Sequence, residues 1–292
     1  LNNLLKAPVF PPSLMETWGL SHIRLIADTH SSLVFRAMQG ERPVVAKALK
    51  PEGSGERPGL DFLRWRAGNG AIRLIDQAGD IALLDDAGDL LLRHHLGKVG
   101  DPAATEIIVK VLARLHAPSP DPVPDALTPL EVHFNALFAL EKTMSDPAIA
   151  EIIHWTAALA RRLLAEQQDI KPLHGDLHHD NIIGHDGGNW LAIDPQGLLG
   201  DPAYDVANVF GNPLHAPDLV LDPRRAMDLS QRFSVALGCS PRKILSYAAA
   251  HSGLSCAWTL SRPLTASGNA NLAERLGFAR LARSILAEQF VD

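Results

Sequence analysis

The residues best equipped for chemistry lie in one stretch, Leu173-His174-Gly175-Asp176-Leu177-His178-His179-Asp180-Asn181-Ile182-Ile183, followed by Trp190-Leu191-Ala192-Ile193-Asp194. Two short apolar runs, Ile182-Ile183 and Leu191 to Ile193, flank the turn Gly184 to Asn189. Pairing them as a β-hairpin returns Asp194 to the loop that carries Asp176 and Asn181. One amide oxygen and one carboxylate then suffice for Mg²⁺, a hard cation that takes few protein ligands and keeps phosphate oxygens in its shell. Asn181 and Asp194 are the expected pair. Asp176 is left to accept a hydroxyl proton and to aim that oxygen at a γ-phosphorus. Phosphoryl transfer asks mainly for positioning and charge neutralisation, and this set of side chains offers both.

The elements that must hold these residues follow from the flanking patterns. Ahead of the loop, Ile23 to Ala27, Leu33 to Met38 and Val44 to Leu49 read as strands, with Gly40-Glu41-Arg42-Pro43 as a hairpin turn. Pro58 opens a helix that Gly68-Asn69-Gly70 stops, and Ala71 to Ile75 and Ile81 to Leu84 read as two further strands. Beyond Gly88 the chain turns helical. Asp101-Pro102, Thr128-Pro129, Asp146-Pro147, Asp201-Pro202, Asp222-Pro223 and Ser240-Pro241 each set a side-chain acceptor before a proline that presets φ. Thr128 with Glu131 also fits a capping box. Strands first and helices afterwards predict an α+β protein rather than an alternating α/β sheet.

The string His174-Gly175-Asp176-Leu177-His178, then Asn181, then Ile193-Asp194, resembles the catalytic and magnesium loops of aminoglycoside-phosphotransferase-like kinases. Trp190 to Pro195 and Gly200-Asp201-Pro202-Ala203-Tyr204-Asp205 resemble the streptomycin 6-kinase and hydroxyurea phosphotransferase branch. The resemblance implies a protein-kinase-like bilobal fold, with a small antiparallel-sheet lobe at 1–87 and a larger helical lobe at 88–292. It also implies ATP and Mg²⁺, Asp176 as base, Asn181 and Asp194 as metal ligands, and Asp205 as a buried brace for the catalytic loop. Lys47, at the end of Val44-Val45-Ala46, matches the strand lysine that pairs the α- and β-phosphates. Thr29, Ser31 and Ser32, in the glycine-free turn between the first two strands, either cover the phosphates or form a plain polar turn. Asp85 and Ala87 fall in the connection where backbone groups would meet adenine.

The chain also departs from the pattern. A kinase of this fold carries an acid near position 59 to pair with the strand lysine, and Gly59 stands there. Glu56 and Asp61 are the nearest acids, with Asp61 better placed inside the helix. Gln196-Gly197 follows Asp194-Pro195 where relatives of this branch would carry Lys-Pro, which weakens a specific claim for streptomycin.

Composition narrows the alternatives. A formal net charge of -6 with no long basic run argues against nucleic acid as a partner and suits a cationic acceptor. No apolar run approaches the ~20 residues that span a bilayer. Leu1 to Pro12 has no signal-peptide layout, and two cysteines in 292 residues read as reduced thiols in a cytoplasmic protein. His174, His178, His179 and His185 lack the His-Glu-x-x-His framework of a zinc hydrolase, and His174 reads as structural. No Walker-type lysine loop and no Gly-x-Ser-x-Gly elbow occur. Glu131, Glu141 and Asp146 either form an acidic rim for a polycationic acceptor or are solvated helix acids. Trp155 and Trp258 read as packing residues. The acceptor is streptomycin, hydroxyurea or an unrelated metabolite alcohol. A reading of another class is a non-catalytic, kinase-shaped nucleotide-binding regulator.

Overall fold

The computed structural model describes residues 10–184 and 188–289; His185, Asp186 and Gly187, within the expected hairpin turn, lie outside them. A short helix α1 (Pro12–Thr17) leads into a five-stranded antiparallel sheet of β1 (Leu20–Asp28), β2 (Ser32–Gln39), β3 (Arg42–Leu49), β4 (Leu74–Ala78) and β5 (Ile81–Asp85). The strand order is β1-β2-β3-β5-β4. Between β3 and β4 run a 3₁₀ turn, Pro51–Glu56, and helix α2 (Arg57–Arg66).

The sheet is buried on both faces. Phe10, Trp18, Phe35, Val44 and Leu83 form one small core, in which the Phe10 and Phe35 rings meet edge-on at 5.3 Å. Leu60, Phe62, Ile72, Ala82 and Leu84 belong to the main core, which continues into the helical part of the chain. Edge-to-face aromatic contacts and apolar burial of this kind hold such a sheet.

The fourth strand begins later than its apolar pattern predicts. Ala71 and Ile72 leave the sheet: Ile72 N–H donates to the Ala192 carbonyl at 2.8 Å, and Ala192 N–H donates to Gly70 at 2.9 Å. Gly70 has φ +83°, and a Cβ there would meet the Leu115 nitrogen at 2.7 Å. A left-handed turn pressed on a helix end requires glycine.

The helical part comprises α3 (Leu92–Val99), α4 (Asp101–Leu115), α5 (Leu130–His133), α6 (Asn135–Thr143), α7 (Pro147–Ala165), α8 (Pro217–Val220), α9 (Pro223–Leu237), α10 (Pro241–Leu260) and α11 (Ala266–Gln289). Helix α10 is its centre: Ile244 to Ala257 are all buried, which is why its sequence shows no polar face. Four of the six caps set before a proline form, with Asp146, Asp201, Asp222 and Ser240 each accepting a backbone N–H of the first turn. Asp101 instead binds Arg225 at 2.9 Å. Thr128 pairs as a strand residue with Leu198, and Glu131 accepts from Gln167, so the capping box does not form. In both cases a long-range partner wins over the local one.

Inserted among the helices are short strands β6 (Leu90–Leu91), β7 (Thr128–Pro129), β8 (Lys171–Leu173), β9 (Ile182–Gly184), β10 (Leu191–Ala192) and β11 (Leu198–Gly200). β9 and β10 form the hairpin that the sequence predicts, with Leu191 opposite Ile183, and β6 pairs on the other side of β9. No helix among the described residues is long and apolar enough to cross a membrane. Cys239 and Cys256 are free thiols.

Candidate active site

The loop 174–181 runs from β8 into β9, and β10, paired with β9, delivers Asp194 beside it. His174 ties them together. Its buried ring donates from Nε2 to the Ile193 carbonyl at 2.9 Å and accepts the Asp176 N–H on Nδ1 at 3.2 Å. One ring nitrogen donating and the other accepting defines a neutral imidazole. Burial pushes its pKa down, in keeping with that state.

Asp176 is held at both oxygens. Asn208 Nδ2 donates to Oδ1 at 2.7 Å, and Asn181 Nδ2 donates to Oδ2 at 2.9 Å. Asn181 Nδ2 also reaches the Asp176 carbonyl at 2.9 Å, which leaves Asn181 Oδ1 as a free oxygen donor for a cation. Burial alone would raise the Asp176 pKa. His178, with its Nε2 3.7 Å away, leads the interactions that outweigh burial and bring it to about 2.

Asp205 lies beneath this loop on a 3₁₀ turn, Pro202–Val209, and is buried. Its Oδ1 accepts from Gly175 N–H at 2.7 Å. Its Oδ2 accepts from His174 N–H at 3.2 Å and from His116 Nε2 at 2.8 Å. Burial opposes its charge, but these donors, His116 foremost, keep its pKa below the usual value. Asn208 stands one turn beyond Asp205. The spacing Asp205-x-x-Asn208 is its one signal in the sequence.

Lys47 is 9% exposed and its Nζ contacts Glu56 at 2.7 Å and Asp194 at 2.9 Å. Burial favours the neutral amine, but the two carboxylates outweigh it and raise the pKa, so the lysine is charged. The partner is therefore Glu56, and Asp61 binds Arg64 on the surface instead. The reason lies at Gly59. A Cβ there would come 1.9 Å from the Pro195 carbonyl oxygen, and one at Gly197 (φ +69°) would come 2.2 Å from the Pro58 carbonyl. Backbone meets backbone between the start of α2 and the loop after Asp194, which leaves no room for an acid at position 59. The same geometry shuts proline out of position 197, because proline fixes φ near -65°.

Two cavities meet here. A cleft of about 560 Å³ under the sheet is lined by Thr29, Ser31, Ser32, Lys47, Asp85, Ala87, Asp176, Asn181 and Asp194, so the residues expected to meet nucleotide and metal, and the expected base, face one space. The Thr29 hydroxyl is engaged with Ser32 at its N–H, 3.0 Å. The Asp85 carboxylate is engaged by Arg42 and Arg73, so this connection offers the cleft its backbone. A second cavity of about 870 Å³ opens on the other side of Asp176, between Glu52 and Glu56 above and α10 and α11 below. Thr29, Ser31, Glu56, Asp176 and Gln196 line both.

The sequence places an acceptor site in the helices after Asp101 and the last third of the chain, but does not name the residues that line this second cavity. Glu131, Glu141 and Asp146 do not line it: Glu131 accepts from Gln167, Glu141 pairs with Arg161, and Asp146 caps α7. Its walls are instead His133, His251, Trp258, Arg262, Asn271 and Arg275, among others. Trp258 is exposed there, contrary to a packing role, and meets His133 edge-on at 5.2 Å. Tyr204 OH joins His133 Nε2 and His251 Nδ1, each at 2.8 Å. Of the sequence's histidine cluster, His185 lies outside the described residues. His179 is buried, and neither ring nitrogen has a partner among the described residues.

The donor chemistry fits Mg²⁺. Asn181 Oδ1 has no hydrogen-bond partner among the described residues, its Nδ2 being the group that binds Asp176, and Asp194 is half-exposed with one oxygen turned to Lys47. A cation that keeps water and phosphate oxygens needs no third protein ligand, so the absence of any group of three or more acidic, histidine or cysteine ligands among the described residues is consistent.

Residues 17–262 match the family described as aminoglycoside/hydroxyurea antibiotic resistance kinase. A streptomycin 3''-kinase of Klebsiella pneumoniae is 38% identical over 254 residues, 84% of this chain and 90% of that protein. A streptomycin 6-kinase of Streptomyces glaucescens is 31% identical over 68% of this chain and 65% of its own length. In fold, the chain resembles aminoglycoside phosphotransferase APH(4)-Ia, solved as a thermostable mutant with ADP and hygromycin B, at TM-score 0.66 and 18% identity over 93% and 97% of the two chains. Choline kinase LicA of Streptococcus pneumoniae matches at TM-score 0.60 and 14% identity, over 92% and 96%. The chain belongs to the aminoglycoside/hydroxyurea antibiotic resistance kinase family and is an ATP-dependent phosphotransferase of that kind.

Proposed function

We propose that this protein transfers the γ-phosphate of ATP to the 3''-hydroxyl of streptomycin. The observation that carries the reading is the meeting of the two cavities at Asp176, one lined by Lys47 and Asp194 and the other large and partly acidic. ATP lies in the cleft under the sheet with its adenine against the backbone around Ala87 and its phosphates toward Lys47. Asn181 and Asp194 hold Mg²⁺, which when bound neutralises charge on the β- and γ-phosphate oxygens. Asp176, fixed by Asn181 and Asn208, orients the acceptor hydroxyl in line with the γ-phosphorus and takes its proton. With its pKa near 2, it is a weak base whose first task is aiming, which suits a loose transition state with little proton transfer before bond cleavage.

Two features favour an aminoglycoside over hydroxyurea. A cavity of about 870 Å³ far exceeds what a molecule of a few heavy atoms fills. Glu52 on its upper wall, with Asp176 facing it, suits a cationic acceptor. The 3'' position rests on the relative that matches the longer share of this chain, the streptomycin 3''-kinase.

The test is phosphoryl transfer from labelled ATP to streptomycin, other aminoglycosides and hydroxyurea, with the product's position read by NMR. A streptomycin phosphate at the 3'' carbon is expected. A 6-phosphate would overturn the regiochemistry, and transfer only to hydroxyurea or to a simple alcohol would overturn the acceptor. Within the same assay, Lys47→Met is expected to raise the KM for ATP by about ten- to a hundredfold, the worth of one charge-assisted hydrogen bond. The KM for the acceptor should not move; an equal rise in both would place Lys47 outside nucleotide binding.

A further inference from the structure

Asn212 lies just beyond the 3₁₀ turn Pro202–Val209 and is buried, at 1% exposure. Its Nδ2 donates to the Asn208 carbonyl at 2.8 Å and to Asn208 Oδ1 at 2.9 Å. Asn208 Nδ2 in turn donates to Asp176 Oδ1 at 2.7 Å. The carboxylate at the end of this chain sets the direction of every bond in it. An ionised carboxylate only accepts. Asn208 must therefore turn its NH₂ to Asp176 and its oxygen to Asn212, and Asn212 must answer with its own NH₂. The cost appears at the far end, where Asn212 Oδ1 is buried with no partner among the described residues. Such an orphaned acceptor in a native fold calls for a reason.

Asn212 is anchored from outside the site. Its N–H donates to the Val209 carbonyl at 3.1 Å, and its carbonyl accepts from Arg225 Nη2 at 3.0 Å. Arg225, on α9, is itself buried and paired with Asp101 of α4. The two amides that hold Asp176 stand on different sides of it. Asn208 lines the second cavity and not the cleft, whereas Asn181 lines the cleft and not the second cavity.

We propose that Asn212 is a positioning residue for phosphoryl transfer: acting through Asn208, it holds the acceptor-side oxygen of Asp176, Oδ1, in line for the incoming hydroxyl. The inference rests on reading Asp176 as the group that aims that hydroxyl. Without the Asn212 donor, nothing fixes the Asn208 amide from behind, and Asp176 keeps a firm hold only on its metal side, from Asn181. A small error in aim matters where the reaction depends on positioning. Substrate binding does not depend on that aim, so the loss falls on kcat. A residue that only closed the 3₁₀ turn would act through the Asn208 carbonyl instead, and a double-mutant cycle separates the two roles.

The test measures kcat, both KM values and the melting temperature for Asn212→Asp, Asn208→Ala and the double variant. ATP and streptomycin, or whichever acceptor the wild-type chain phosphorylates, are the varied substrates. Asn212→Asp keeps the shape but replaces the donor with an acceptor, which drives the Asn208 NH₂ away from Asp176. It is expected to lower kcat about 10- to 100-fold, the worth of a hydrogen bond to a charged group, with both KM values unchanged. In the Asn208→Ala background the same substitution should change kcat by less than about twofold. It should lower the melting temperature in both backgrounds, since the bond to the carbonyl of residue 208 is lost in each. Asn212→Leu removes the donor without adding a charge and should show the same dependence on Asn208 with a smaller loss. Equal fold losses in the two backgrounds, or wild-type kcat in both Asn212 variants, overturn the inference and leave the Asp176 assignment intact. Turnover retained in Asp176→Asn, or wild-type protein that phosphorylates no acceptor, overturns both.

Discussion

Asp176→Asn is expected to lower kcat for phosphoryl transfer by roughly 100- to 10,000-fold, the usual contribution of a positioned general base, while ATP binding is retained. The geometry gives a second reason for a large loss. Both Asp176 oxygens face amide N–H donors, from Asn208 and from Asn181. An asparagine must turn its own NH₂ toward one of these donors, so one hydrogen bond becomes a repulsion and either Asn208 or Asn181 shifts. Because Asn181 carries the free Oδ1 assigned to Mg²⁺, a change at position 176 reaches the metal side as well. Single-turnover transfer together with nucleotide binding measured by calorimetry separates the two effects. Turnover comparable to wild type would defeat the base assignment, and lost nucleotide binding would show that position 176 is mainly structural.

The pH dependence follows from the same environment. A carboxylate held near pKa 2 is ionised at every pH at which the fold is assayed, so Asp176 should contribute no acid limb to kcat above about pH 5. A limb in that range that disappears in Asp176→Asn would contradict the assignment.

Asp205→Ala is expected to destabilise the protein by about 3–5 kcal/mol, the cost of removing one partner from a buried, charge-bearing network. Three donors lose their acceptor: the N–H groups of His174 and Gly175, and His116 Nε2. Two of those donors lie in the loop that sets Asp176, so activity should fall together with stability. At roughly 2–4 °C per kcal/mol, the melting temperature should drop by about 6–20 °C. The sign with pH is fixed by linkage. The folded-state pKa of Asp205 is depressed, so its contribution is complete above the unfolded value near ~3.9 and is lost as pH falls through the folded value. Melting curves should therefore converge between wild type and Asp205→Ala as the buffer is taken below about pH 4. A variant as stable as wild type at pH 7 would show that Asp205 is not the brace.

The catalytic loop was readable because its chemistry is local. Asp176 and Asn181 share one loop, and a single short hairpin returns Asp194 to it. Sequence-level errors arose where a distant partner displaced a local one. Asp101 and Thr128 look like helix caps, but one is taken by Arg225 and the other by β11. Asp61 has the better helical position for Lys47, yet it lies on the outer face with Arg64. Glu56, outside the helix, reaches the lysine because a 3₁₀ turn brings it there. Nothing in a propensity reports that the chain passes backbone-to-backbone at Gly59 and Gly197.

By itself, the sequence determined the order of elements and the family, and it named the residues expected to carry phosphoryl transfer. Strand and helix periodicity, capping residues and a short run of acids and amides encode these within a few tens of residues. Only the tertiary structure decided the partner of Lys47, the clamp of Asn208 on Asp176, and the acceptor cavity built from His133, α10 and α11. Those depend on which face of a buried helix meets which turn across a long stretch of chain. Such pairings are selected by the packing of one shared core and leave no local pattern from which to read them.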